Sequence, residues 1–301
     1  MNISSLIHSA NAQNLNILHI IIRQNGEITA EQHYVENTPV HLWSVSKTFT
    51  SMGVGIAAHE GYFDMNDKIA RYFLAAKQDL FNQLAVRDLL CMATGQAECP
   101  LDKAIEAGRP LDDIEALFFE EPVVRDPGKH FVYNNAATYM LSKLVSITTG
   151  DCLLDYLRPR IFEPLEIADV NWEKDVSGVN IGCAGLHLNA HDLSKFGQLL
   201  LNEGIWNGKN LVPRDYIQEA TRKQIDTDRF DKPFATVDHK SGYGYQIWMN
   251  SYPGSYRLDG LLGNYVVVIP KKNAVITYVS QETQNMTGIL ELTWKFILDQ
   301  L

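Results

Sequence analysis

The sequence predicts an α/β fold of the α+β kind: one antiparallel sheet built from both chain ends and flanked by helices, with an all-helical domain inserted between them. Three observations predict it. Strand-like runs gather at the two ends, helical periodicity fills the middle, and an Asn-Gly pair near the start marks a hairpin. The expected division is 1–64 with 226–301 for the sheet domain, which carries the start of a helix at Ser44, and 65–225 for the helical domain, which carries Tyr133 to Asn135.

The elements follow in order. Residues 16–23 and 28–35 are strand-like and flank Gln24-Asn25-Gly26-Glu27, a two-strand signal with a primed turn. From Ser44 to Glu60 the pattern becomes helical, with Phe49, Met52 and Ile56 among the small residues Gly53, Gly55, Ala57 and Ala58. A helix apolar nearly all round is a central, buried one. Helical patterns then run over 86–92, 111–119, 136–149 ending at Gly150, and 191–202 ending at Gly204. A polar stretch from Gln224 to Ser241 reads as a long surface loop. Strand-like runs at 243–248, 265–269 and 274–280 precede a final amphipathic helix through Ile289, Leu292, Phe296 and Ile297.

Composition excludes several function classes. The 301 residues are 46% hydrophobic and 21% charged, which suits a globular chain with a sizeable core. A net charge of -10 without a basic run argues against nucleic acid as a partner. The first apolar run, 17–22, is far short of the roughly 20 residues a membrane span needs. Met1 to Asn16 is polar and lacks the features of a secretory signal, so a cytoplasmic location is expected. Cys91, Cys99, Cys152 and Cys183 form no C-x-x-C pair and are expected as reduced, buried thiols.

Chemistry concentrates in two motifs. Ser44-Val45-Ser46-Lys47 is the single S-x-x-K of the chain and stands at the start of the buried helix, where residues three apart share a face. A serine hydroxyl needs a neighbouring base, and a lysine amine serves only when desolvation or nearby cations bring its pKa from about 10.4 toward neutrality. Backbone N–H groups at a helix start also face a developing oxyanion. By chance alone a chain of this length yields roughly one S-x-x-K, so the position after a strand pair is what gives the motif weight. Tyr133-Asn134-Asn135, the single Y-x-N, follows the Asp126-Pro127-Gly128 turn and leads into the next helix. A phenol there can carry protons and an amide can bind a substrate carbonyl; alternatively an Asn caps the helix and Tyr133 fills a core.

Together, Ser-Val-Ser-Lys-Thr-Phe-Thr at 44–50, the Pro-Gly turn and Tyr-x-Asn at 133–135 resemble the class C β-lactamase and penicillin-binding-protein-like serine hydrolases. The likeness extends to Asp88-Leu89-Leu90 with Thr94-Gly95, to Gly185-Leu186-His187 with Asp192-Leu193 and Phe196-Gly197, and to the C-terminal strands. It implies a β-lactamase/transpeptidase-like fold and a serine acyl hydrolase of esterase, amidase or D-amino peptidase type. In that reading Ser44 is the acylated nucleophile, Lys47 its base, Tyr133 a proton relay and Asn135 an amide-binding side chain. No cofactor and no metal are expected, and the partner is a small ester, amide or peptide-like substrate.

The family's third motif is a cationic residue, a hydroxyl residue and glycine on a strand. Lys240-Ser241-Gly242 fits by letter but precedes the 243–248 run, so by order the match is Arg257-Leu258-Asp259-Gly260. Leu258 then replaces the cation and Asp259 the hydroxyl, and both should penalise anionic substrates. Arg257, next along the strand, should face away from Leu258. By the resemblance, Leu261 N–H and Ser44 N–H form the oxyanion hole.

Two other readings stand beside this one. A non-catalytic or single-turnover penicillin-binding or sensing module would share the fold. His187 and His191 lie four apart before Asp192, but Asn189 should cap the helix near His191 and leave His187 outside it, and no H-E-x-x-H occurs.

Overall fold

The computed structural model describes residues 1–77 and 79–301. The hairpin forms as its turn chemistry dictates. Strands β1 (Ile17–Gln24) and β2 (Glu27–His33) meet at Asn25 and Gly26, both with positive φ, the backbone a primed two-residue turn requires. The C-terminal strands join them: β3 (Trp248–Met249), β4 (Tyr256–Gly260), β5 (Asn264–Ile269) and β6 (Ala274–Ser280). The order is β2-β1-β6-β5-β4-β3, antiparallel throughout, so both chain ends do build one sheet.

Alternation places the sheet between two cores. Ile20 and Ile22 of β1 pack with Val267, Ile276 and Tyr278 under the terminal helices, while Ile21, Leu258, Val266 and Val275 belong to the larger core on the other face. The terminal helices are α1 (Ser4–Ala12), which the polar N-terminal composition concealed, and α5 (Met286–Leu292), continued by a wider turn over Thr293–Ile297. On the larger side lie α2 (Ser46–His59), α3 (Asn135–Thr149) and α4 (Ala190–Leu201). Helix α2 is buried over nearly its whole length, and at Gly55 an added Cβ would fall 2.3 Å from the Tyr216 ring.

Several expectations are corrected. Helix α4 falls inside 65–225, yet it lies flat on the sheet, where Gly197 touches Val266 and Val275. The 243–248 run is not a regular strand, because Gln246 takes a positive φ and its backbone and side chain bind Leu90 in the helical part. Three short helices without a clear apolar stripe also form, at Pro100–Glu106, Leu153–Leu157 and Arg214–Ala220. Cys99 and Cys183 are buried as expected, Cys91 and Cys152 are half-buried, and all four are free thiols. Among the described residues no helix is long and apolar enough to cross a membrane.

Candidate active site

Ser44 stands on a single tight turn, Trp43–Val45, that feeds directly into α2. Trp43 has a φ of 52°, a region that costs a bulky residue about 1 kcal/mol or more. The turn is held by Ser46, whose Oγ donates to Trp43 O at 2.6 Å and accepts from Leu186 N–H. One helical turn on, Lys47 is 1% exposed, and its Nζ donates to Ser44 Oγ at 2.7 Å and to Cys183 O at 2.8 Å. The carbonyl of Cys183 thereby aims the amine at the serine.

Tyr133 arrives from the start of α3. Its ring stacks on Trp248, and Lys47 Nζ lies 5.0 Å from the ring centroid. Burial raises the phenol above its ordinary pKa, with the nearby Lys47 charge opposing it. The hydroxyl therefore keeps its proton at neutral pH. Sequence order left two roles open for the following asparagines, and they divide. Asn134 caps α3 through Ala137 N–H and donates to Gln96, while Asn135 turns its amide to Asp102 Oδ1 at 2.8 Å. Ser44, Tyr133, Asn135 and Asp102 all line one cleft of about 870 Å³.

The opposite wall is the end of β4. Asp259, Gly260 and Leu261 line the cleft, and Leu261 is 46% exposed. Gly260 lies so close to the Ser44 turn that a Cβ there would sit 2.5 Å from Leu42 O. Only glycine permits this approach, which sets the end of β4 against the turn that carries Ser44. Leu258 is corrected: it is 1% exposed, belongs to the larger core and does not line the cleft. Arg257 and Asp259 share the other face, two residues apart, and Arg257 Nε donates to Asp259 Oδ2 at 2.8 Å.

Asp259 therefore does not stand as a bare charge. His239 Nε2 is 3.4 Å from the same oxygen, and His239 Nδ1 accepts from Thr236 N–H, which assigns the proton to Nε2. Burial pushes the Asp259 carboxyl up, but Arg257 and His239 outweigh it and hold the group below its ordinary value. Lys240-Ser241-Gly242 contributes nothing to the cleft lining: Lys240 is exposed and Ser241 Oγ donates back to Val237 O. The loop that carries it does matter, since Phe230, Phe234 and His239 form the cleft's aromatic side with Trp248.

Sequence reasoning missed Asp102, His239 and Gln246. Asp102 and His239 reach the cleft from a short helix and a long loop, where no spacing announces a site. Gln246 is buried and joins three segments: Nε2 donates to Leu89 O and Leu90 O, Oε1 accepts from Thr138, and its carbonyl accepts from Thr48 of α2.

Comparison with known proteins identifies the family and the fold. A family model described as Beta-lactamase matches residues 17–294. The 6-aminohexanoate-dimer hydrolase of Paenarthrobacter ureafaciens is 22% identical over 283 residues, covering 86% of this chain and 71% of that protein. Among solved structures, the octameric penicillin-binding protein homologue from Pyrococcus abyssi superposes with a TM-score of 0.81 at 18% identity, covering 100% of this chain and 78% of that one. The D-amino acid amidase from Ochrobactrum anthropi, complexed with L-phenylalanine amide, gives a TM-score of 0.74 at 15% identity over 97% of this chain and 95% of that one.

Proposed function

The chain belongs to the Beta-lactamase family, and we propose that it is a serine acyl hydrolase that cleaves an ester or amide through an acyl intermediate on Ser44. The observation that carries this reading is the 2.7 Å contact between Lys47 Nζ and Ser44 Oγ, made by a buried amine whose remaining partner is a backbone carbonyl. With Lys47 as the neutral amine, Ser44 turns its hydroxyl hydrogen to Nζ and its Oγ attacks the substrate carbonyl carbon as that proton passes to Lys47. The oxyanion lies between the N–H groups of Ser44 and Leu261, a role supported by the close approach at Gly260. Tyr133, a neutral phenol, gives its proton to the leaving group and regains one from Lys47. Water then releases the acyl group by the reverse path.

Amides are the favoured substrates, supported by similarity to a protein named as an amidase and to another named as a dimer hydrolase. Asp102 and Asp259 line the cleft with Glu98, Glu106 and Asp231 against Lys103, Arg229 and Lys232, and this acidic excess favours neutral or amine-bearing substrates over carboxylate-bearing ones. The Arg257–Asp259 pair moderates that preference, because the carboxylate is already compensated.

The test is wild type against Ser44→Ala with a fluorophosphonate probe, p-nitrophenyl esters, D-amino-acid amides and a chromogenic cephalosporin side by side. Labelling of wild type alone, with repeated turnover of an ester or amide, is the expected result. Persisting label on Ser44→Ala overturns the assignment, and a single equivalent of product would make the protein an acylated sensor.

A further inference from the structure

We propose that Glu31, His33 and His191 form a binding site for a divalent transition metal of the zinc class, outside the cleft. The three side chains come from distant segments. Glu31 and His33 are two apart on β2 and so share a face, while His191 stands in the first turn of α4, whose start is fixed by the Asn189 cap. Their ligating atoms all lie within 4.8 Å of one another. Glu31 Oε2 is 2.8 Å from His191 Nε2 and 3.3 Å from His33 Nε2. Tetrahedral zinc with ligands at about 2.1 Å holds them roughly 3.4 Å apart, so small outward shifts admit the ion. Two imidazoles and a carboxylate suit zinc better than calcium or magnesium, and water completes the shell.

The surroundings orient one ligand toward the ion and the other away from it. His33 Nδ1 lies 2.9 Å from Nδ1 of His19, its partner across the β1–β2 pair. With metal on Nε2, His33 keeps its proton on Nδ1 and donates it to His19, the outer-shell arrangement that holds a histidine ligand in place. His191 is set differently. Asn37 Oδ1 accepts from Ala190 N–H at 2.8 Å, so the Asn37 amide nitrogen, 3.0 Å from His191 Nδ1, is a donor. That choice places the His191 proton on Nε2, facing Glu31. Metal binding moves this proton to Nδ1, opposite a second donor, so Asn37 opposes the ion. An aspartate at 37 would accept from both Nδ1–H and Ala190 N–H. Native affinity is accordingly held down by one amide, and a single change should release it.

None of the three ligands lines the cleft, so the bound ion would clip the edge strand β2 to α4 and not enter the acyl chemistry. The measurement is calorimetric titration of zinc into chelator-treated full-length protein, repeated with cobalt to read the absorption of a tetrahedral site. Wild type should bind one ion and unfold at a higher temperature with it. His33→Ala and His191→Ala should each weaken binding about tenfold or more, Asn37→Asp should strengthen it about tenfold, and His8→Ala should change nothing. Far-UV circular dichroism checks that each variant is folded, and the gain in Asn37→Asp is an effect that misfolding cannot imitate. Absence of zinc binding by wild type, wild-type affinity in either histidine variant, or no gain in Asn37→Asp would each overturn the site.

Discussion

Asp259 is held among three groups of unequal consequence: a buried guanidinium, a histidine from the loop and the open cleft. Arg257 is 0% exposed; its Nη1 donates to Asp238 O, Met249 O and Asn250 Oδ1 while its buried Nη2 has no hydrogen-bond partner, so it depends on Asp259 for its counter-charge. Asp259→Ala should therefore cost about 3 kcal/mol in urea unfolding at pH 7, the usual penalty for stranding one member of a buried pair. The sign of the pH effect follows from the direction of its shift. A carboxyl held below its ordinary value stabilises the fold above the unfolded pKa of about 4, and that contribution is lost as pH falls through the lower folded value. The gap between wild type and Asp259→Ala should thus narrow on acidification; an equal gap at pH 7 and pH 3 would mean the charge is not what Arg257 needs. Tyr133→Phe keeps the stacking on Trp248 and removes only the hydroxyl. It should lower kcat about a hundredfold. A change confined to KM would make Tyr133 a substrate contact instead.

At the scale of elements, the cleft depends on the end of β4 meeting the start of α2. Gly260→Ala should push the Leu261 backbone away from Ser44, because Leu42 O and the Val45 side chain leave no room for a methyl group. Loss of one oxyanion donor lowers kcat by about a hundredfold or more while substrate binding changes little. Full activity in Gly260→Ala would remove Leu261 N–H from the mechanism. The hairpin, α2 and α3 were legible because Asn-Gly, a glycine-stopped apolar helix and an Asn cap are local signals. Helix α1 was not, since only Leu6 and Ala10 of its nine residues are buried. The irregular path at 243–247 was equally hidden, because Gln246 gains its partners from Leu89, Leu90 and Thr138, more than a hundred residues away.

Across the whole molecule, the larger core runs without a break from Ile21 and Leu258 of the sheet through α2 to Phe118 and Leu144 of the helical part. A shared core couples what the sequence divides into two domains. Thermal or urea unfolding should then show one cooperative transition, with far-UV circular dichroism and tryptophan fluorescence giving the same midpoint. Two separated midpoints would indicate that the helical part unfolds independently. The cleft lies on this junction, so loosening of the core should be felt at Ser44.

By itself the sequence determined the sheet from both chain ends, the buried helix that carries Lys47 and begins just after Ser44, and the arrival of Tyr133 at the head of α3. Each rests on residues close together in the chain, where periodicity and spacing set which side chains share a face. Tertiary structure alone decided that Leu258 turns into the core while Arg257 and Asp259 pair, that Asn135 binds Asp102, and that His239 reaches the cleft from a loop. It also brought Glu31 and His33 to His191. Strand alternation states that neighbours face opposite ways, but which face meets the core depends on what packs there, and contacts between distant segments leave no mark in local spacing.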